Sequence, residues 1–394
     1  MKKLQLFKFR LIRALLLLLQ PFFPKDTYIL FDNLYEKNAE CIDTWCVFQY
    51  MQKHHIRSYY VLWKENPLYQ QLKERSTLQN IIILKDACKG NWEFFYKVYL
   101  QLFRTRSVIT SFGELHPKIT SFLYKNRYID YIDISHGITF FKLFHLTTGY
   151  TGADKYNKYL VTSETEGNIF LEYGWDKENL INIGLPRWSC LSKNLPQQKT
   201  IFMMMTWRNT FGRWNAKKFK TPLQETAYYK RICALIQNQH LQSILQKCNV
   251  RLIYTLHHSM LNQITQTDKA YFPNIEYVPS ENISKYIKTS ALFITDYSSL
   301  FADFLFLNTP VCFFRPDFDD TSLLSIDRQD MERAKSKDQE LFNICYTPED
   351  AINCIDKYIQ NGFVLEKENI KKANKLFGTK ENIMEKFIAY LEDR

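Results

Sequence analysis

The chain has 394 residues and carries 52 Lys and Arg against 41 Asp and Glu, a net charge of +11. With 46% hydrophobic and 16% aromatic residues it buries large cores, which excludes a disordered or fibrous protein. No apolar run reaches the roughly 18 residues of a spanning helix, and nine scattered cysteines, with no CxxC pair and no His cluster at metal spacing, argue against a disulfide framework or a structural zinc site and fit reduced, packed thiols in a cytoplasm.

Residues 1–25 hold six of the net charges, Lys2, Lys3, Lys8, Arg10, Arg13 and Lys25, and no acid. Leu4, Phe7, Leu11, Leu15 and Leu18 recur among them at helical spacing, and Pro21 and Pro24 end the run. A signal peptide is disfavoured: Arg13 interrupts the apolar stretch, and residues 20–24 lack a small-residue cleavage site. An ordinary packed N-terminal helix competes with a basic amphipathic helix lying in the interface of an anionic bilayer, and the second is the expectation adopted. The remaining +5 is spread over the rest of the chain, so no broad nucleic-acid face is expected.

From residue 26 short β-rich runs alternate with stretches long enough for helices. Strands are expected at Tyr28–Phe31, Tyr59–Trp63, Ile81–Leu84, Val108–Ser111, Tyr131–Ile134, Tyr159–Thr162 and Leu180–Ile183. A polar stretch at 192–198 separates these from a second series at Ile201–Met205, Arg251–Leu256, Glu276–Val278, Ala291–Thr295 and Val311–Phe314. The runs are apolar on both parities, as in parallel strands buried on two faces. The fold expected is α/β, with two Rossmann-like domains facing across a cleft. The boundaries are a membrane-surface segment at 1–25, a first Rossmann-like domain at 26–190, a second at 191–370 and a C-terminal helix at 371–394. Glycine is scarce, at 11 residues, and no GxGxxG loop is present.

Open α/β sheets bind ligands at the C-terminal ends of their strands, so the residues there are the candidates. Ser135-His136-Gly137 follows one strand, and the glycine permits a sharp turn and close approach. Gly184-Leu185-Pro186-Arg187 follows another, as a boundary turn or a functional one. Thr206-Trp207-Arg208 brings an arginine suited to bidentate phosphate recognition, or to pairing with a nearby acid. His257 and His258 follow the strand ending at Leu256, where a histidine donates to phosphate or shuttles a proton. Asp296-Tyr297-Ser298-Ser299 precedes an apolar helical run containing Asp303; either serine is placed to cap that helix, and its free N–H groups suit a phosphate. Asp317-Phe318-Asp319-Asp320 matches a weak metal-binding pattern and reads as a solvated loop, so no metal is expected.

These segments, in this order, resemble the CDP-glycerol glycerophosphotransferases, the teichoic-acid primases and polymerases with relatives in capsule synthesis. The Thr295-Asp296-Tyr297-Ser298-Ser299 block with Asp303 is the most specific part. The resemblance implies a GT-B-like fold, action as a peripheral enzyme at the cytoplasmic face of the membrane, and no cofactor beyond the CDP-polyol donor. It implies transfer of glycerol phosphate from CDP-glycerol to a lipid-linked acceptor with release of CMP. His136 would be the general base and His257 a leaving-group partner, their imidazoles meeting from opposite lobes. Arg208, Ser298, Ser299, Asp303, Thr295 and Arg187 would lie on the donor side, Gly137 and Lys142 on the acceptor side. Ser135 and Ile138-Thr139-Phe140 stand where the family usually has Trp and Thr-Pro-Leu, His258 follows His257 in place of proline, and Met205 replaces another proline. The first departure leaves the acceptor and the polyol open. A sugar-nucleotide glycosyltransferase or epimerase on the same architecture is the nearest rival, and a non-catalytic membrane or nucleic-acid binding protein is the other. No pattern specifies an oligomeric state.

Overall fold

The computed structural model describes the chain apart from residues 1–10, 12–13, 33–41, 75–78, 86–96, 112–122, 124–125, 136, 142–157, 192–193, 195, 197, 209–222, 257–273, 279–282, 321–322, 324, 379–380 and 394. The chain folds as two units. The first comprises 1–138, 144–190 and 378–394, and the second 139–143 and 191–377.

The first unit is built on a seven-stranded sheet: β1 (Thr27–Asp32), β2 (Ser58–Trp63), β3 (Ile81–Leu84), β4 (Thr105–Ser111), β5 (Asp130–Asp133), β6 (Lys158–Val161) and β7 (Leu180–Asn182). Their order is β3-β2-β1-β4-β5-β6-β7, and each neighbouring pair is parallel. The second sheet holds β8 (Thr200–Met205), β9 (Arg251–Leu256), β10 (Ile275–Tyr277), β11 (Leu292–Thr295), β12 (Val311–Phe314) and β13 (Ile344–Cys345). It runs β10-β9-β8-β11-β12-β13, again parallel throughout. Both are doubly wound sheets, with order reversing beside β1 in one and β8 in the other. Strand β8, Thr-Ile-Phe-Met-Met-Met, is buried at every position, the signature of a strand covered on both faces.

In the first unit α1 (Ile42–Lys53), α2 (Pro67–Glu74) and α3 (Glu164–Glu172) lie between strands. Ser163 caps α3 by accepting from the Glu166 amide. The core gathers Ile29, Phe31, Val61, Trp63, Val108 and Tyr131 around the sheet, and Leu16 belongs to it. Gln20 is also buried, donating to Leu102 O at 2.8 Å and accepting from Asn126 Nδ2 at 3.0 Å. Residues 14–20 are thus partly seated in the first unit. An inward leucine and an inward amide one turn apart tie this part of the 1–25 segment to the unit.

The second unit carries α4 (Ala227–Ile236), α5 (Gln239–Lys247), α6 (Ile283–Thr289), α7 (Phe301–Phe306), α8 (Ser325–Lys337), α9 (Pro348–Gln360) and α10 (Lys367–Phe377). Its core includes a ring stack in which Phe293 of β11 lies 4.0 Å from Phe304 of α7 with 6° between planes, and Phe202 of β8 stacks on Phe293 at 5.8 Å. Helix α9 opens with a capping box between Thr347 and Asp350 and a proline in its first turn.

The stretch expected as one terminal helix is two. Helix α10 stays with the second unit, and α11 (Ile383–Glu392) belongs to the first. Gly378, at φ +63°, makes the break. Arg106 of β4 then donates to the Leu391 and Glu392 carbonyls at 3.0 and 2.7 Å, satisfying the end of α11.

Gly184 has a comparable task inside the first unit. Its φ is +108°, and a Cβ there would meet Ile383 Cδ1 at 3.3 Å. Gly184→Ala is therefore expected to destabilise the first unit by about 1–3 kcal/mol, measured as a lower urea midpoint; an unchanged midpoint would contradict this reading.

Candidate functional site

At the switch point of the second sheet, the ends of β8, β11 and β12 converge on one buried arginine. Arg208 Nε donates to Asp317 Oδ2 at 2.6 Å, and Nη2 donates to Asp317 Oδ1 at 2.9 Å and to Asp296 Oδ2 at 2.7 Å. Nη1 donates to Thr206 O at 2.9 Å. The guanidinium lies 4.8 Å from the ring centres of both Tyr228 and Tyr297. Asp296 completes its shell by accepting from the amides of Thr206 and Tyr297 at 2.9 and 2.7 Å and from Thr206 Oγ1 at 2.6 Å.

Electrostatics explains why these groups persist in the interior. Burial alone would drive the proton off Arg208, but the Asp317 and Asp296 carboxylates overturn that and hold it firmly cationic. Burial raises Asp317 above the usual carboxylate range, with Arg208 opposing and Asp296 reinforcing the rise. Tyr297 and Tyr228 are pushed well up by burial first. Beyond the Tyr297 ring sits a second fully buried cation, Arg315, 5.0 Å from its centre. Arg315 Nη2 lies 2.6 Å from Asp338 Oδ1, yet neither atom makes a hydrogen bond, so the contact is an ion pair without directed geometry.

In the first unit the turn after β5 is fixed by a different network. Ser135 has φ +58°, in the left-handed region that a side chain rarely adopts. Its amide donates to Asp133 Oδ1 at 2.7 Å, its hydroxyl donates to Gly137 O, and the Gly137 amide donates back to that hydroxyl at 3.2 Å. Ser111 Oγ, at the end of β4, lies 2.8 Å from Ser135 O and 3.2 Å from Asp43 Oδ2. Asp43, in the first turn of α1, accepts from Arg187 Nη1 at 2.7 Å, both side chains being buried.

The sequence-derived residues therefore separate. His136, His257 and Lys142 lie outside the described residues. Gly137 is in place beside the Ser135 turn. Arg208 and Arg187, expected on the donor side, pair here with buried carboxylates, Arg208 with Asp317 and Asp296 and Arg187 with Asp43. Thr295 is fully buried and donates to Met204 O at 2.7 Å, fastening β11 to β8, and Asp303 is buried within α7. Neither serine caps α7; Leu300 does, without a side-chain bond. Ser298 Oγ instead accepts from the Leu300 amide at 3.2 Å. The amides of Phe301, Ala302 and Asp303 donate to Ser298 O, Ser299 O and Leu300 O at 3.3, 3.2 and 3.0 Å, because the six-residue helix opens as a tight turn. Ser299 is partly exposed. Of the acidic loop, Asp317 holds Arg208 and Asp319 holds Arg231 at 2.6 and 2.9 Å, so two of its three acids have arginine partners. Sequence reasoning passed over Asp43, Ser111, Asp296 and Arg315; only Asp296 stood inside a quoted motif, and its role was left unassigned.

Removing one partner of a buried ion pair strands the other charge. Arg208→Met is expected to cost about 3–5 kcal/mol of stability in the second unit, read from denaturant unfolding. A variant of unchanged stability with only a raised KM for donor would assign Arg208 to direct phosphate contact instead.

A sequence profile of the CDP-glycerol:poly(glycerophosphate) glycerophosphotransferase family matches residues 16–323. The minor teichoic acid biosynthesis protein GgaB of Bacillus subtilis (strain 168) is 26% identical over 198 residues, covering 47% of this chain and 21% of its own length. The chain thus matches about a fifth of that relative. In fold, the wall teichoic acid polymerase TagF superposes with a TM-score of 0.64 at 16% identity, covering 97% of this chain and 93% of that one. The UDP-GlcNAc 2-epimerase of Neisseria meningitidis, bound to UDP-GlcNAc, gives 0.55 at 12% identity, covering 93% and 100%. At such identities the likeness is one of fold, here the paired parallel sheets of a GT-B-like architecture. With strand ends, motif order and profile in agreement, the chain belongs to the CDP-glycerol:poly(glycerophosphate) glycerophosphotransferase family.

Proposed function

We propose that this chain transfers a polyol phosphate, first of all glycerol phosphate from CDP-glycerol, to a lipid-linked glycan or polyol-phosphate acceptor in teichoic-acid or capsule-type polymer synthesis. The observation that carries the reading is the family match across residues 16–323. An acceptor hydroxyl attacks the β-phosphorus; the new O–P bond forms as the bond to CMP breaks. His136 takes the hydroxyl proton, since an alcohol needs a base as its bond to phosphorus forms. His257 offsets charge on the departing CMP, and the Ser298-Ser299 turn receives the diphosphate. Gly137 and Lys142 serve the acceptor side. Phosphoryl transfer is chiefly positioning and electrostatics, so no covalent nucleophile is required. No step is assigned to a metal or to any cofactor beyond the CDP-polyol.

The test is a donor panel with lipid-linked acceptors. CMP release from CDP-glycerol or CDP-ribitol, with product mass increased by the polyol phosphate, is expected; UDP or GDP release from sugar nucleotides would favour a glycosyltransferase. His136→Ala and His257→Ala should each lower turnover by about two or more orders of magnitude. Near-normal rates in both would sink the assignment.

The same proposal puts the enzyme on the cytoplasmic face of an anionic membrane as a peripheral protein. Among the described residues no helix is long and apolar enough to cross a membrane. Leu16 and Gln20 face inward while Leu11, Leu15, Leu18 and Phe22 are exposed, Leu18 at 68% and Phe22 at 81%. Such an apolar face beside six basic residues suits anionic lipid. Leu18→Gln with Phe22→Gln, which leaves Leu16 and Gln20 intact, is expected to abolish co-sedimentation with vesicles containing anionic lipid. Retained binding would contradict the membrane reading.

A further inference from the structure

Cysteine spacing in the sequence gives no metal motif, yet the second unit brings three thiols together. Cys312 lies on β12, Cys345 on β13 and Cys354 on α9. All three are buried, at 0%, 3% and 9% exposure. Their sulfurs lie within 4.8 Å of one another, with Cys312 and Cys345 at 3.5 Å. Among the described residues this is the one such cluster of potential ligands.

The register explains the convergence. Phe314 of β12 pairs with Cys345 of β13, and side chains two residues apart on a strand share a face. Cys312 and Cys345 therefore point to the same side of the sheet, where α9 packs and supplies Cys354 from its second turn. Strand β13 is only two residues long and lies at the sheet edge.

We propose that Cys312, Cys345 and Cys354 form a binding site for a thiophilic closed-shell cation, Zn(II) or Cu(I), held by three sulfurs. The sulfur spacing fits. With metal–sulfur bonds of about 2.3 Å, ligating sulfurs stand about 3.8 Å apart at a tetrahedral centre and about 4.0 Å at a trigonal one. The cluster needs shifts of less than an ångström to reach either. Soft sulfur donors without imidazole or carboxylate select these ions over Mg(II) or Ca(II). Cu(I) is satisfied by three sulfurs. Zn(II) takes a fourth donor, and the Asn343 carbonyl, 3.7 Å from Cys345 Sγ, is the oxygen at hand. Ligation breaks the S–H bonds, forms metal–sulfur bonds and releases the protons to solvent, with no oxidant involved. The site would clamp the short edge strand β13 to β12, just ahead of Arg315 and Asp317 in the chain.

The experiment uses the full chain with the exposed Cys190 and Cys248 changed to serine, alongside the same protein carrying Cys354→Ala. Each is purified without chelator and assayed for bound metal by mass spectrometry. Each is then stripped and titrated with Zn(II) against a chromophoric chelator, and anaerobically with Cu(I) against a copper(I) indicator. One equivalent bound by the parent, absent from the variant and accompanied by a raised melting temperature, is expected; which ion gives it identifies the occupant. If Cys354→Ala fails to fold, Co(II) added to the parent supplies the readout, as a thiolate-to-cobalt charge-transfer band. Binding by the parent no greater than by a folded variant, or no such band, would overturn the proposal. So would two of the three thiols found joined as a disulfide in freshly purified protein.

Discussion

The second unit turns on the charge balance around Arg208. A guanidinium removed from water costs several kcal/mol unless its donors and its charge are both matched. Here four hydrogen bonds to Asp296, Asp317 and the Thr206 carbonyl supply the match, and two tyrosine rings close the faces. The partners come from the ends of β8, β11 and β12, so satisfying one arginine fixes the relative heights of three strands. Apolar side chains of the same volume would stabilise the unit equally well. What they would not do is specify a single geometry for the turns that leave those strands.

The first unit solves the same problem with fewer charges. Arg187 fixes Asp43, the Ser111 hydroxyl lies between Asp43 and the Ser135 carbonyl, and Ser135 braces Gly137 through its own hydroxyl. A left-handed serine costs of order 1–3 kcal/mol when unsupported, and each hydrogen bond in this chain offsets part of that. In both units a motif arginine pairs with a carboxylate that bonds a strand-end turn. Motif order therefore reports how strand-end turns are built as much as what they bind. For a phosphoryl transfer, where rate comes from orientation, that is a functional role.

Period and composition made the sheets legible. The runs Ile81–Leu84, Arg251–Leu256 and Val311–Phe314 coincide with β3, β9 and β12, and β12, buried at every position, is the uninterrupted apolar run of a strand covered on both faces. Strand β13 escaped notice: two residues, Ile344–Cys345, have no period to read. The break at Gly378 was hidden by amphipathic patterns on both sides, since α10 and α11 each need an apolar face for a different unit. The arginines were located at strand ends, but their carboxylate partners were not legible. Sequence places Arg208 after β8 and cannot show that Asp317, in the turn after β12, meets it. Leu16 and Leu18 look alike in the sequence and have opposite fates, one in the core and the other in solvent.

The buried acids also bear on how an anionic donor would be received. Asp296 and Asp317 sit directly behind the Tyr297-Ser298-Ser299 turn, and alone they would present two negative charges to an incoming diphosphate. With Arg208 between them the trio carries a single negative charge. The Arg315 cation, 5.0 Å from the centre of the Tyr297 ring, lies close enough to oppose it, and among the described residues it forms an ion pair with Asp338. In a low-dielectric interior such opposition is felt over several ångströms, because water is not there to screen it. If the Ser298-Ser299 turn receives the diphosphate as proposed, Arg208 would favour anion binding by offsetting the Asp296 and Asp317 carboxylates it bridges. The geometry of the turn would then be set during folding by a saturated interior cation, leaving the exposed side of the turn for the groups that the proposal assigns to the substrate.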